Sequence, residues 1–146
     1  MKKSTVLLLA LIFVASILVV GFFGMKSLSY RETIYIKSIT PTRITLSTDE
    51  QKDIVADGDD KYYVRVTYEQ GMIVIVDYSV NPANNTFGSK TRIEIVSCTS
   101  KTPNAVEIVP ERGCTFRINE KCAFTIKVTA LDKAGGASFT MEIYTK

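Results

Sequence analysis

Hydrophobic positions follow two regimes along this chain. Residues 5–25 form one apolar run, "TVLLLALIFVASILVVGFFGM", with no charged residue in it. From residue 33 onward, apolar and polar positions alternate in short bursts rich in β-branched and aromatic residues: "TIYIKSI" (33–39), "RITL" (43–46), "KYYVRVTY" (61–68) and "MIVIVDYSV" (72–80). "TRIEIVS" (91–97), "AVEIV" (105–109), "TFRI" (115–118), "AFTIKVTAL" (123–131) and "SFTMEIY" (138–144) continue the pattern. Turn signals separate them: Thr40-Pro41, Asp57-Gly58-Asp59, Gln70-Gly71, Pro82-Ala83-Asn84-Asn85, Pro103-Asn104, Arg112-Gly113, Asn119-Glu120 and Gly135-Gly136. Many short strands at this spacing predict an all-β sandwich or barrel. Alternation is cleanest at Phe124, Ile126, Val128 and Ala130, with Thr125, Lys127 and Thr129 on the opposite face. One buried and one solvated face is the signature of an antiparallel sheet. Ser47-Thr48-Asp49-Glu50 fits a capping box, but only Ile54-Val55-Ala56 follows, so at most one helical turn is expected there.

The apolar run has the length of a membrane span. A helix of about 20 residues, at about 1.5 Å each, crosses the roughly 30 Å hydrocarbon layer of a bilayer. A secretory signal has a shorter apolar core, about 7 to 15 residues, followed by a small-x-small cleavage site. The nearest substitute, Val19-Val20-Gly21, is followed by Phe22, Phe23 and Met25, which prolong the apolar stretch. No cysteine stands at the end of the run to carry a lipid. Lys2 and Lys3 favour a cytoplasmic amino terminus under the positive-inside rule, with Lys26 and Arg31 diluting the bias. The run therefore reads as a retained single-pass anchor touching membrane lipid through residues 5–25, with a cleaved signal as the alternative. In either case the remainder is expected outside the cytoplasm. Residues 1–30 form the stub, span and linker, and residues 31–146 form one β-sandwich domain.

Charge refines this picture. The formal net charge is +3, but every acid lies at or beyond Glu32. Residues 32–146 carry 14 Lys and Arg against 15 Asp and Glu, scattered along the strands. The positive excess flanks the apolar run, and a nucleic-acid partner, which needs a clustered basic face, is excluded.

One set of motifs resembles a known family. "VNPANN" (80–85), "RIEIVS" (92–97), "PNAVEIV" (103–109), Gly113, "TFRI", "FTIKVTAL" and the closing "FTMEIYTK" follow one another in the order seen in bacterial immunoglobulin-like domains of group 2. The resemblance covers about residues 35–146 and implies an immunoglobulin-like antiparallel β-sandwich. It also implies a surface role, since such domains are spacers or binding modules of adhesins, cell-wall proteins and secreted enzymes. Three features depart from the family pattern. Ile95 stands where a Trp is usual, Cys122 stands near a frequent glycine, and segment 49–71 is long enough to add the strand "KYYVRVTY".

The inventory for chemistry is thin. The chain has no histidine, which removes Ser-His-Asp and Cys-His nucleophile pairs and every histidine metal site. No serine is followed three places later by lysine, and no pair of carboxylates is singled out for glycosidic hydrolysis. No catalytic residue, cofactor or metal site is therefore assigned. Asp57, Asp59 and Asp60 in "ADGDDK" offer carboxylate oxygens of the kind calcium takes, but they fit no EF-hand spacing and also suit a plain surface turn. Cys98, Cys114 and Cys122 have no C-x-x-C spacing. They allow one bridge with one thiol left over, and Cys114 faces Cys122 if "TFRINEK" is a hairpin. The alternative, small buried hydrophobes, is preferred because a domain of this size has core enough without a bridge. Tyr62, Tyr63, Tyr68 and Tyr78 are candidates for a binding surface, with cross-strand packing the simpler explanation. Asn84-Asn85-Thr86 matches a glycosylation sequon, though a turn accounts for its asparagines.

Function is thus expected to be non-catalytic. The first reading is a membrane-anchored binding or structural module at the cell surface, meeting a protein or glycan through loops or an edge strand. The second is an accessory subunit of an envelope complex whose helix pairs with other helices. Ala10, Ser16, Gly21 and Gly24 are small, but they form no G-x-x-x-G. A freely secreted protein follows only if the leader is cleaved.

Overall fold

The structure is a computed structural model that describes residues 3–29, 32–88, 90–132 and 136–146. Arg31 and Gly135, singled out above, lie outside the described residues. The chain divides into two compact units, Met1–Thr33 and Ile34–Lys146.

The first unit is a helix, α1 (Lys3–Ser29). From Val6 to Phe23 its Leu, Ile, Val and Phe side chains are exposed, and the candidate span Lys3–Gly24 has a mean hydropathy of 3.1 in its apolar window, with none of that window buried. It is long and apolar enough to cross a membrane, a property that a signal sequence shares.

The second unit is a sandwich of two five-stranded sheets. Its strands are β1 (Ser38–Leu46), β2 (Gln51–Lys52), β3 (Val55–Ala56), β4 (Lys61–Val66), β5 (Met72–Asn81), β6 (Thr91–Cys98), β7 (Val106–Ile108), β8 (Thr115–Ile118), β9 (Ala123–Ala130) and β10 (Ser138–Thr145). One sheet has the order β2-β1-β5-β8-β7, the other β3-β4-β10-β9-β6. The runs β1-β5-β8-β7 and β10-β9-β6 reproduce the two sheets of an immunoglobulin-type sandwich. All pairings are antiparallel except β4 with β10, which run parallel from Lys61↔Thr140 to Val66↔Thr145. The "KYYVRVTY" strand is therefore not an appendage. It flanks the final strand and continues that sheet.

The apolar alternation does what the sequence pattern requires. Phe124, Ile126, Val128 and Ala130 of β9 are buried, and Lys127 is exposed. The same period places Phe139, Met141 and Ile143 of β10, and Val64 and Val66 of β4, against Ile44, Leu46, Val74, Val76, Phe116 and Ile118 of the other sheet. Aromatic rings cross between the layers. Phe116 of β8 meets Phe124 of β9 at 5.9 Å between centroids, and Phe139 of β10 lies 6.1 Å from Tyr78 of β5.

One strand boundary needs correction, and two conditional readings are resolved. Residues 33–39 and 43–46 are not two strands broken by a Thr40-Pro41 turn. They contribute to one strand, β1, whose register shifts between Pro41 and Arg43. The bulge lets buried positions pass from Ile39 and Pro41 to Ile44 and Leu46 without losing the core face, and a bulge is where a strand tolerates proline. No helical turn follows the capping-box motif. Residues 47–49 are a turn, Asp49 takes a positive φ of 59°, and the chain continues into β2 and β3. "TFRINEK" is not a hairpin either, because β8 lies in one sheet and β9 in the other. Placing a carboxylate at Ile126, which has no solvent exposure, strands an unpaired charge in the core. Ile126→Asp is expected to destabilise the sandwich by roughly 4 kcal/mol or more, read as loss of the cooperative melt in circular dichroism.

Candidate functional site

The outward face of the β4-β10-β9-β6 sheet carries the densest polar chemistry. Strand alternation presents Lys61, Tyr63 and Arg65 from β4, Thr140, Glu142 and Tyr144 from β10, Thr125 and Lys127 from β9, and Arg92 and Glu94 from β6. Register makes these residues neighbours. Glu142 lies between Tyr63 and Thr125, and Lys127 lies between Thr140 and Glu94. The Arg65 guanidinium sits 5.9 Å from the Tyr63 ring centroid, within cation–π range. The Tyr144 hydroxyl donates to Glu142, and this hydrogen bond is the main reason the phenol's pKa is raised. A shallow cavity of about 300 Å³ opens on this face between Asp57, Lys61, Tyr62, Thr125, Thr140 and Glu142. Both charge signs and two aromatic rings on one flat surface suit protein or glycan contact.

A second, larger cleft of about 490 Å³ lies at the sandwich edge, lined by Pro41, Thr42, Arg43, Gln51, Lys52, Asp53, Ile54, Ala56 and Tyr62. It forms because β2 and β3 are two-residue strands on different sheets, so a short connection spans the gap between the layers. Arg43 Nε donates to Asp77 Oδ2 at 3.2 Å, and Lys52 pairs with Glu50. Its cations are therefore engaged with acids of the same chain. The lining holds no nucleophile beside a base.

The residues singled out from sequence are placed as follows. Asp57, Asp59 and Asp60 occupy the loop of the β3-β4 hairpin, where the Asp57 amide donates to the Lys61 carbonyl at 2.8 Å. Gly58 (φ 97°) and Asp60 (φ 57°) supply the left-handed conformations that close it. Among the described residues no three His, Cys, Asp or Glu side chains gather into a metal-sized group. Tyr62, Tyr68 and Tyr78 pack against the core. The Tyr68 hydroxyl donates to the Asn119 carbonyl at 2.9 Å, and the Tyr78 hydroxyl lies 2.6 Å from Thr91 Oγ1. Tyr63 alone of the four belongs to the outward face. In the sequon, Asn85 Nδ2 donates to the Pro82 carbonyl, and Thr86 Oγ1 accepts from the Ile34 amide at 2.8 Å. Asn85 thus braces the turn, and Thr86 ties it to the start of the sandwich, 52 residues earlier in the chain.

The three cysteines are free: Cys98 is exposed, whereas Cys114 and Cys122 are buried. Cys114 leads into β8 of one sheet and Cys122 into β9 of the other. The Cys114 carbonyl accepts from Val76 of β5, extending the β5-β8 pairing within that sheet, and the pKa of its thiol is pushed up to about 12, first by burial and then by the Asp77 carboxylate.

Two polar devices had no signal in the alternation. Asp132, 8% exposed, accepts a 2.6 Å hydrogen bond from the Ile36 amide and so pins the start of the sandwich to the end of β9. Thr145, also buried, accepts from the Cys122 amide at 2.8 Å and donates to the Cys122 carbonyl at 2.7 Å. A single buried Asp or Thr breaks the apolar pattern without announcing its partner, and an Asp after a strand reads equally well as a turn.

The chain matches no family model, no curated protein and no solved structure.

The buried Cys114 thiol gives stability a defined pH dependence. A thiol whose pKa is higher folded than unfolded keeps its proton in the native state, so its contribution is complete below about 9 and is lost as pH rises toward about 12. Urea midpoints measured across that window are expected to fall, and to fall less steeply in Cys114→Ala. An unchanged slope in the variant would place the alkaline loss elsewhere.

Proposed function

We propose that this protein is a non-catalytic binding or structural module, held at the outer face of a membrane by α1 and presenting its sandwich outside the cytoplasm. The observation that carries the proposal is the union in one chain of a helix with an uncharged, exposed apolar run over residues 5–25 and a sandwich with a polar, aromatic-bearing sheet face. An exposed helix of this composition is stable only where hydrocarbon replaces water around it. Lys2 and Lys3 before the run orient its amino terminus toward the cytoplasm and the sandwich away from it. The strand order accords with the group-2 bacterial immunoglobulin-like resemblance, which brings a spacer or adhesive role with it. A protein or glycan partner would meet the Tyr63, Arg65, Lys127 and Glu142 face, where ionic and stacking contacts are both on offer.

The accessory-subunit reading draws less support from the helix itself. Ser16, its central hydroxyl, donates to the Ile12 carbonyl at 2.9 Å, and the small residues do not repeat at the spacing of close helix pairs. Catalysis has no candidate machinery in a chain without histidine.

The anchor reading requires that the leader stay attached. Mass spectrometry of protein extracted from membranes with detergent is expected to find an amino terminus at Met1 or Lys2. A terminus near Phe22 or Met25, with the sandwich in the soluble fraction, would replace the anchor with a cleaved signal.

A further inference from the structure

The bulge in β6 decides which face Cys98 occupies. Ile93 and Ile95 pack against the core, whereas Arg92 and Glu94 point outward. Strict alternation would then put Ser97 inside and Cys98 outside. Instead the register advances two residues on β6 for one on β9, from Ile95↔Ile126 to Ser97↔Thr125, and Cys98 falls opposite Phe124. Residues paired across strands share a face, and Phe124 is buried in the core. Cys122 precedes Phe124 by two residues, so it lies on that same face. The extra residue, Val96, thus carries the Cys98 side chain round to the side of Cys122, and after burial Cys98 is the neighbour that acts most on the Cys122 thiol. Pairing continues beyond them. The Thr99 amide donates to the Ala123 carbonyl at 2.8 Å, and the Ala123 amide donates to Thr99 Oγ1 at 2.9 Å. With Thr145 holding the Cys122 backbone from β10, both ends of the pair are fixed.

We propose that Cys98 and Cys122 form an oxidisable pair that closes to a disulfide by exchange with a disulfide-bearing partner, either a small-molecule disulfide or a dithiol oxidoreductase. Cys98, exposed on an edge strand, attacks the carrier disulfide R–S–S–R. This forms a Cys98–S–S–R mixed disulfide and releases the first carrier thiolate, which takes up a proton. Cys122 then gives up its proton to solvent, and its sulfur attacks that of Cys98. The Cys98–Cys122 bond forms and the second carrier thiolate leaves, so two protein thiols are oxidised and one carrier disulfide is reduced to two thiols. Burial first, and the neighbouring Cys98 thiol second, hold the Cys122 pKa above its ordinary value. The second step is therefore the slow one, and it quickens as pH rises.

The bond would close a loop that contains β7 and β8, both of which belong to the opposite sheet. It would thereby tether the chain's excursion between the two layers and its return. Cross-linking a loop of this length removes conformational freedom chiefly from the unfolded chain. Cys114, on the far sheet, stays reduced.

The proposal rests on the extracytoplasmic reading only for its natural oxidant, and the test supplies its own. Full-length protein in detergent micelles is treated with glutathione disulfide under native conditions, then denatured, alkylated and digested. The expected product is a peptide pair joined through Cys98 and Cys122 with Cys114 alkylated, formed faster at pH 9 than at pH 7. Closure is expected to raise the melting temperature by about 10 °C, reversed by reductant. Cys114→Ala is expected to behave the same way. Recovery of all three cysteines as alkylated thiols, a lasting glutathione adduct on Cys98, or a bridge to Cys114 would overturn the proposal. None of these outcomes depends on where the protein resides.

Discussion

A helix that is apolar on every side is at ease only where something other than water surrounds it. The large apolar side chains of α1 from Val6 to Phe23 are exposed around the whole helix rather than along one stripe, the pattern of a membrane span and of a signal sequence alike. Water around these large apolar side chains is unfavourable, and a bilayer core would remove that contact on all sides at once. The proposed membrane location descends from this constraint, whereas the proposed orientation rests on Lys2 and Lys3.

The sandwich solves a different problem, that of keeping alternation in step across two sheets. Each bulge inserts one residue where strict alternation would turn apolar side chains outward. In β1 the shift near Pro41 carries the core face from Ile39 to Ile44, and in β6 the shift near Val96 turns Cys98 inward beside Phe124. Sheet edges are managed as well. β2, β3 and β7 are only two or three residues long, and the longer edge β6 carries Arg92, Glu94 and its bulge, features that discourage pairing with another chain.

Much of this was legible in the alternation. Long segments such as Phe124–Ala130 announce both the strand and its buried side, because a period of two over eight residues has no competing reading. Proline misled at Thr40-Pro41, since the signal that marks a turn also marks a bulge in a continuing strand. The two-residue strands β2 and β3 fell below any periodicity, and the parallel β4-β10 pair is a long-range choice that no local pattern encodes. Of the site candidates, the tyrosines divide by parity. Tyr62 faces in and Tyr63 faces out, as adjacent residues on one strand must. The Cys98–Cys122 neighbourhood was hidden because it depends on a bulge whose position shows only in the register.

The claim on which the account rests is that one chain spans a membrane with its sandwich outside. Lysines lie on both sides of the apolar run, so a membrane-impermeant amine reagent applied to intact cells reads the topology directly. The account predicts labelling of sandwich lysines such as Lys61 and Lys127 in the membrane fraction, with Lys2 and Lys3 labelled only after the membrane is opened. Labelling of Lys2 and Lys3 from outside, or a sandwich shielded until the membrane is broken, would contradict it.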